Sequence, residues 1–382
     1  MEGNVSLNEC LEVPEAFFTD LFSVLVRFRC HNVAMIADIE KAFLRIGIKE
    51  EDRDALRVIW VVDPFAEELE EIILRFTRVT FGVGPSMWHL GVVIKHHLKK
   101  YEVSHPDIVS RIEESLYADD FSGGEDNDER AIRFYLEARR IFKEAGMNLR
   151  KWRSNSKKLM RMILQDENGK TESSNTDSYA EQMLNPTDQS PVKVLGTPWD
   201  LEEDRLKLTL EKVLKKGEVL TKRQLVSASS SIYDVIGGLA PVVFYLKTMF
   251  QRICKDGGSW DDKLSQEIMK DWNKWINGAK ECPVFEIPRC YDTKLSDNSK
   301  IMLIGFCDAS EKGYAAVVYL RVASLNGDHV STNLVAVKTR VAPIVKQSIP
   351  RLELLAALLL AILMLRIREI FRKSVVIERE LC

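Results

Sequence analysis

Apolar residues recur along this chain with two periods, and the period changes several times. Between residues 14 and 30, Phe17, Phe18, Leu21, Phe22, Val24, Leu25 and Phe28 fall at helical spacing, which predicts a helix. Val33-Ala34-Met35-Ile36-Ala37 is a short unbroken apolar run ending on Asp38, the pattern of a buried strand. Val58 to Val62 and Ile72 to Phe76 read as two more strands, separated by the acidic Glu67 to Glu71. Gly82, Gly84 and Pro85 break the second of these and open a helix running to about Tyr101. In Leu116-Tyr117-Ala118-Asp119-Asp120-Phe121, with Ser122-Gly123-Gly124 beyond, apolar residues flank an Asp pair; this predicts a tight β-hairpin whose turn holds both carboxylates. Asp128 to Ala145 follows as an amphipathic helix that Gly146 terminates.

The second half begins with a polar stretch, residues 165 to 191, read as an insertion or flexible loop. Val192-Lys193-Val194-Leu195-Gly196 resumes a strand, and Leu206, Leu208 and Leu210 alternate like another. Thr221 to Pro241 reads as a helix, a Gly237-Gly238 break and a second helix; Trp260, Trp272 and Trp275 lie in the helical stretch beyond as packing residues. From residue 301 strands return: Ile301 to Cys307 running into Asp308, then Gly313 to Arg321 and Leu334 to Lys338. Ser348-Ile349-Pro350-Arg351-Leu352-Glu353 opens an apolar helix, with Pro350 tolerated in its first turn, and Ser374 to Ile377 begins a last strand. The apolar run Leu354 to Leu365 is twelve residues, short of the about 20 that span a bilayer, so a buried helix is expected.

Composition narrows the class. At 382 residues, 46% hydrophobic and 29% charged, the chain can build two or three cores and is not a disordered polymer. A formal net charge of −3 leaves nucleic acid open as a partner, because cations can gather locally. Seven cysteines, at 10, 30, 254, 282, 290, 307 and 382, include no C-x-x-C pair and read as reduced thiols of an intracellular protein. The first twenty residues carry five acidic groups and no basic flank, so no signal peptide is expected.

The chemistry concentrates on carboxylates. Adjacent Asp119 and Asp120 repel, and the usual relief is a bound cation. Asp38, 81 residues earlier, ends a strand of its own. Three carboxylates at strand ends can hold two Mg²⁺ ions about 3.5–4 Å apart, the arrangement that serves phosphoryl transfer. Alone, an Asp pair is ordinary turn chemistry. Two basic stretches suit a nucleic-acid partner: the helix end with Lys95 and Lys99, and Arg150, Lys151, Arg153, Lys157, Lys158 and Arg161, where Trp152 stands among the cations.

The order of motifs resembles reverse transcriptases. Asp38-Ile39-Glu40-Lys41-Ala42-Phe43, Thr80-Phe81-Gly82-Val83-Gly84-Pro85-Ser86, Tyr117-Ala118-Asp119-Asp120, Ala145 to Trp152, and Val194-Leu195-Gly196 are similar to five palm motifs in sequence order. Pro85 precedes Ser86, where the family usually has Ser-Pro. Thr221-Lys222-Arg223, the turn Asp234 to Pro241, and Ile349-Pro350-Arg351-Leu352-Glu353-Leu354 resemble Pao/BEL long-terminal-repeat retrotransposon pol polyproteins, with Val235 standing where those elements usually have proline. The resemblance implies an α+β fold: a reverse-transcriptase palm over 1–164 with fingers largely missing, a polar insertion over 165–191, the end of the palm with thumb and connection over 192–298, and a truncated ribonuclease H-like α/β domain over 299–382.

It also implies roles. Asp38, Asp119 and Asp120 become metal-bearing catalytic carboxylates, and Lys151 the lysine near the leaving pyrophosphate. Phe43 packs under the incoming sugar and selects DNA, with Phe81, Gly82 and Tyr117 completing the nucleotide site. Lys95, Lys99, Arg150, Trp152, Arg153 and Lys157 hold template and primer. Asp308 and Glu353 stand as two ribonuclease H metal carboxylates; no third Asp follows, so that activity is expected to be lost. No Asp-Ser-Gly or Asp-Thr-Gly of an aspartic peptidase occurs. The expected function is RNA-directed DNA polymerisation with two Mg²⁺ ions per site, dNTPs, and an RNA or DNA template with primer, in a cytoplasmic particle or nucleus, without a membrane anchor and with other parts of the polyprotein as possible partners. The rival expectation is an inactive retroelement remnant that binds nucleic acid or a partner.

Overall fold

A computed structural model describes residues 5–14, 18–66, 68–168, 191–216, 221–292, 299–324 and 329–382. The described chain opens with α1 (Leu7–Cys10), α2 (Leu21–Phe28), β1 (Val33–Ile39), β2 (Arg57–Val61), β3 (Glu71–Arg75), α3 (Ser86–Leu98) and α4 (Pro106–Ser115). It continues through β4 (Leu116–Tyr117), β5 (Asp120–Glu125), α5 (Asp128–Glu144), β6 (Leu149–Ser154) and α6 (Lys157–Asn168). Then come β7 (Lys193–Val194), β8 (Thr197–Asp200), β9 (Arg205–Thr209), α7 (Glu211–Leu214), α8 (Lys222–Ser230), α9 (Ala240–Lys255) and α10 (Gln266–Glu281). The last elements are β10 (Val284–Pro288), β11 (Lys300–Ser310), β12 (Gly313–Ala323), β13 (Val330–Val341), α11 (Ile349–Phe371) and β14 (Arg379–Leu381).

Contacts divide these into two units, Met1–Asp20 with Met35–Glu167, and Leu21–Ala34 with Asn168–Cys382. The first is built on a four-stranded sheet in the order β4-β5-β1-β6. Helix α5 buries Ala131, Phe134, Tyr135, Ala138, Ile141 and Phe142, an i, i+3, i+4, i+7 stripe, and Asn127 caps it by accepting from the Arg130 amide at 3.0 Å. Asp128 and Glu129 in its first turn complement the helix dipole. Strands β2 and β3, read as strands from the sequence, pair antiparallel and leave Ile59, Trp60 and Ile73 exposed.

The second unit carries two four-stranded sheets, β10-β9-β8-β7 and β13-β12-β11-β14. In the latter, β11 and β12 pair without a shift from Lys300↔Ala323 to Ser310↔Gly313, and β14 lies parallel to β11 at Met302↔Arg379. Helix α11 covers the face that presents Ile301, Leu303, Ala316, Val318, Leu320 and Val322. Gly305 lets it approach: a Cβ there would stand 2.6 Å from Leu360 Cδ1.

Three elements depart from the sequence expectation. Helix α2 covers only Leu21–Phe28 and sends Phe22 and Val26, with Cys30, into the core of the second unit; Phe17 lies outside the described residues. Residues 374–377 are not the last strand. Val375 plugs the core beside Phe371, whose carbonyl accepts from the amides of Ser374 and Val375 (both 2.8 Å), and the strand starts at Arg379. Helix α6 runs through Gln165 to Asn168, and most of the polar stretch beyond lies outside the described residues. Trp272 and Trp275 are buried in α10 as packing residues, whereas Trp260 precedes that helix and is exposed.

A pair of buried arginines ties the second unit together. Arg289 is fully buried and donates from Nε (2.8 Å) and Nη2 (2.5 Å) to Asp204, and from its remaining hydrogens to the carbonyls of Phe28, His31 and Asn32. Arg29 is equally buried and donates to the carbonyls of Pro288 (3.0 Å), Arg289 (3.2 Å) and Leu334 (2.7 Å) and to the Tyr291 hydroxyl (3.1 Å). Desolvation lowers the Arg29 pKa, with Tyr291 opposing, yet a guanidinium stays charged and four of its five N–H donors are matched. Removing one partner of a buried pair strands the other charge. Asp204→Ala is therefore expected to destabilise the unit by about 3–5 kcal/mol. Urea unfolding followed through Trp199, whose Nε1–H donates to Asp204 at 2.9 Å, will read it. Asp54→Ala, which breaks only exposed pairs with Arg57 and Arg75, should leave the transition in place.

Candidate active site

The Asp pair sits where the hairpin was expected. Strands β4 and β5 pair at Leu116↔Phe121 and Tyr117↔Asp120, leaving Ala118 and Asp119 as a two-residue turn. Ala118 has φ 58°, the left-handed value that two-residue hairpin turns demand at their first central position, here met by a non-glycine residue. The Asp119 carbonyl accepts from the Ile39 amide at 2.8 Å, which fastens the turn to the end of β1. Asp119 and Asp120 thereby come beside Asp38.

Strand β6 supplies the counter-charge through a bulge. Its pairing with β1 runs Met35↔Ser154 and Ile36↔Arg153, then shifts to Asp38↔Arg150. Two residues of β6, Lys151 and Trp152, thus stand opposite Ala37, and Lys151 takes φ 56°. The bulge aims its ammonium at Asp38, Nζ to Oδ2 3.6 Å. It also corrects one expected role. Trp152 turns inward, 2% exposed, against Tyr135 (5.0 Å between ring centroids) and Phe121 (6.0 Å), with its Nε1–H on the Leu149 carbonyl (3.2 Å), so it offers no face to a base. Strict alternation from buried Leu149 sends residue 152 outward; the extra residue reverses it.

The electrostatics express the crowding. Asp120 is raised to about 6, by desolvation first and then by Asp119 and Asp38, with Lys151 opposing. Asp38 is raised by desolvation and by Asp119 against the pull of Lys151. Glu40 behaves oppositely: desolvation is outweighed by Asn148 (3.3 Å), Arg150 and Arg45 (3.4 Å), which hold its carboxyl below the usual range. Sequence reasoning passed over Glu40 and Asn148, whose only signal was their place inside two of the motifs. Glu40 engages Arg150, one of the expected nucleic-acid contacts.

The remaining expected residues separate into groups. Phe43 is buried and meets exposed Phe81 edge-on (5.0 Å, 70°). Gly82, φ 82°, accepts at its carbonyl from Asn8 Nδ2 (2.8 Å), while Asn8 Oδ1 accepts from the Gly84 amide (2.8 Å), so Asn8 clamps this loop. Tyr117 is half-buried on β4. Lys95 and Lys99 stand exposed at the end of α3, Lys157 is exposed at the start of α6, and Arg153 is half-buried with Nη1 on the Trp152 carbonyl at 3.0 Å. Asp308 and Glu353 lie on β11 and α11. Asp308 pairs with Ala315 on the sheet face turned from α11, in a groove of about 560 Å³ shared with Phe244 and Tyr314, whereas Glu353 is exposed on α11.

Among the described residues no group of three or more His, Cys, Asp or Glu side chains is gathered into a ready metal-ligating cluster. The donor chemistry nevertheless fits a divalent cation: Asp38, Asp119 and Asp120 are hard oxygen donors, and Asp38 and Asp120 are raised by desolvation and in part by Asp119.

The raised carboxyl has a consequence for stability. From its ordinary value of 3.8 up to about 6, the folded protein holds a proton on Asp120 that the unfolded chain has lost, so stability from this group falls as pH rises through that window. Asp120→Asn should raise the melting temperature at pH 7.5 by on the order of 2–4 °C and lose that advantage at pH 4. Calorimetry at the two pH values in EDTA tests it; an equal shift at both would refute the repulsion.

Residues 221–378 match the family model described as the Pao retrotransposon-like RNaseH-like domain. No curated protein matches the chain. Among solved structures, the foamy viral protease-reverse transcriptase, determined in complex with an RNA/DNA hybrid, aligns at TM-score 0.52 and 13% identity over 94% of this chain and 40% of its own. At that identity the likeness is one of fold, and the chain spans 40% of the length of that protein. No helix among the described residues is long and apolar enough to cross a membrane. Residues 221–378 thus carry a Pao retrotransposon-like RNaseH-like domain, in a chain whose fold is similar to that of the foamy viral protease-reverse transcriptase.

Proposed function

We propose that the first unit is an RNA-directed DNA polymerase module that adds deoxynucleotides to a primer on an RNA or DNA template. The observation that carries this reading is the convergence of Asp38, Asp119 and Asp120, each from a different motif or turn position, on one end of the sheet. Asp38 and Asp119 would hold two Mg²⁺ ions with Asp120 in support. When bound, the ions neutralise the triphosphate and acidify the primer 3′-hydroxyl.

The chain's own residues supply position. Lys151, fixed on its bulge beside Asp38, presents an ammonium for the leaving pyrophosphate. Phe43, held under Phe81, forms a floor for the sugar that a 2′-hydroxyl would strike, and Tyr117 and Gly82 border the same nucleotide. Lys95, Lys99, Arg153 and Lys157 are accessible to template and primer phosphates, as Arg150 is once it leaves Glu40. The foamy viral neighbour holds an RNA/DNA hybrid, which supports a nucleic-acid partner here.

A second reading applies to the ribonuclease H-like unit. It binds the duplex without cutting it, because Asp308 and Glu353 supply two carboxylates of the expected set and the Asp308 strand pairs with Ala315.

Primer extension on an RNA template with Mg²⁺ and dNTPs tests both. Wild-type chain should extend, and Asp119→Asn with Asp120→Asn should cut the rate by at least about 10²–10³-fold, the loss that follows removal of a preorganised electrostatic group. The RNA strand of a hybrid should survive intact in the same reaction. Extension that persists in the double variant would overturn the carboxylate assignment.

A further inference from the structure

The second unit contains a concentration of positive charge that the polymerase reading does not use. Where the loop before α9 and the helix itself meet edge strand β13, Lys247, Lys338, Thr339, Arg340 and Asp234 line a pocket of about 280 Å³. The loop closes the sheet edge there: the Val337 amide donates to the Ile236 carbonyl at 2.7 Å. Gly237 comes so near that a Cβ would stand 2.1 Å from the Val337 oxygen, and its φ of 83° also requires glycine. The pocket walls are therefore set by backbone.

Its charge is unbalanced. Asp234 is the one carboxylate in the lining, and its oxygens are engaged by backbone: Oδ1 accepts from the amides of Gly237 and Gly238 (both 2.9 Å), Oδ2 from that of Leu239 (2.8 Å). Lys247 Nζ touches the Thr339 hydroxyl (3.3 Å). Lys338 Nζ lies 5.3 Å from the centre of the Phe22 ring, which it shares with the Arg366 guanidinium at 4.7 Å. Among the described residues, neither lysine nor Arg340 has a carboxylate oxygen within 4.0 Å. The crowding registers on both ammonium groups. Desolvation and then Arg340 lower Lys247, and desolvation, Arg366, Lys247 and Arg340 lower Lys338, with Asp234 opposing in each case. Three cations around a polar cleft, with their single carboxylate already satisfied, want a hydrogen-bonding anion.

We infer that this pocket binds a phosphate-type oxyanion, either free or as a phosphodiester in a nucleic-acid backbone. The two ammonium groups, the guanidinium and the Thr339 hydroxyl donate to its oxygens, a donor set that matches phosphate. The site is independent of the carboxylate cluster.

Titration calorimetry on the full chain, at low ionic strength with EDTA, uses two probes: inorganic pyrophosphate and a short single-stranded oligonucleotide. Wild type is compared with Lys247→Gln/Arg340→Gln and with the charge-preserving Lys247→Arg/Arg340→Lys. The neutral variant should bind roughly tenfold or more weakly, and the charge-preserving one should stay within about threefold of wild type. Weakening for the oligonucleotide assigns a backbone phosphate, and weakening for pyrophosphate alone assigns a free anion; either upholds the site. Equal affinities in wild type and neutral variant for both probes, or no binding by wild type, would overturn it.

Discussion

Like-charged carboxylates brought near one another repel, and the first unit nevertheless brings Asp119 and Asp120 beside Asp38. Asp38 arrives at the end of β1, and Asp119 and Asp120 at the head of the β4–β5 hairpin, with the Ile39 amide on the Asp119 carbonyl locking the two together. Two non-glycine residues with positive φ stand beside them, Ala118 in the turn and Lys151 in the bulge. Such conformations are unfavourable by roughly 1–3 kcal/mol each and persist only where the surroundings over-determine them. Here the surroundings are the backbone pairing on either side. Strain and repulsion fall on the same few residues, and the one nearby ammonium, Lys151, relieves Asp38 first.

The second unit meets charge differently in two places. Arg289 and Arg29 are buried, but all five N–H donors of Arg289 and four of the five of Arg29 end on a carbonyl, a hydroxyl or Asp204. That matching makes burial tolerable, because an unmatched buried charge is far more costly than the pair is stabilising. The cations around Asp234 are the opposite case: each is less buried, and none is matched by a carboxylate. Within this unit, buried arginines are matched by acceptors, whereas the lysines around Asp234 are paired with a hydroxyl or an aromatic ring.

Much of this was legible in the sequence. The hairpin at Asp119-Asp120, the strand ending on Asp38, the helix ended by Gly146 and the strand–strand–strand–helix order after residue 300 all follow from periodicity and breakers, and the structure places them there. What sequence alternation cannot show is a bulge. Trp152 reads as an aromatic among cations, yet one extra residue in β6 turns it into the core and Lys151 toward Asp38. Nor does periodicity tell core from strand in a short apolar piece: Val375 is apolar because it fills space beside Phe371, and the strand waits until Arg379. Tertiary partners at great sequence distance, such as Arg289 with Asp204 or Phe22 with Arg366, leave no local trace at all.

The same parity argument places Asp308 on its strand. Positions 301, 303 and 305 of β11 face α11, so 308, an odd number of residues further on, faces the other way unless the strand slips. Pairing with β12 shows no slip from end to end, and Asp308 accordingly lies beside Ala315 and Phe244. On α11, Leu352 and Ala356 take the inward positions, which leaves Glu353 in solvent. In β6 a single bulge brings a lysine to an aspartate; in β11 the unshifted register keeps Asp308 opposite Ala315. The two units therefore show how one irregular residue in a strand, present in β6 and absent from the β11–β12 pairing, decides which way a side chain faces.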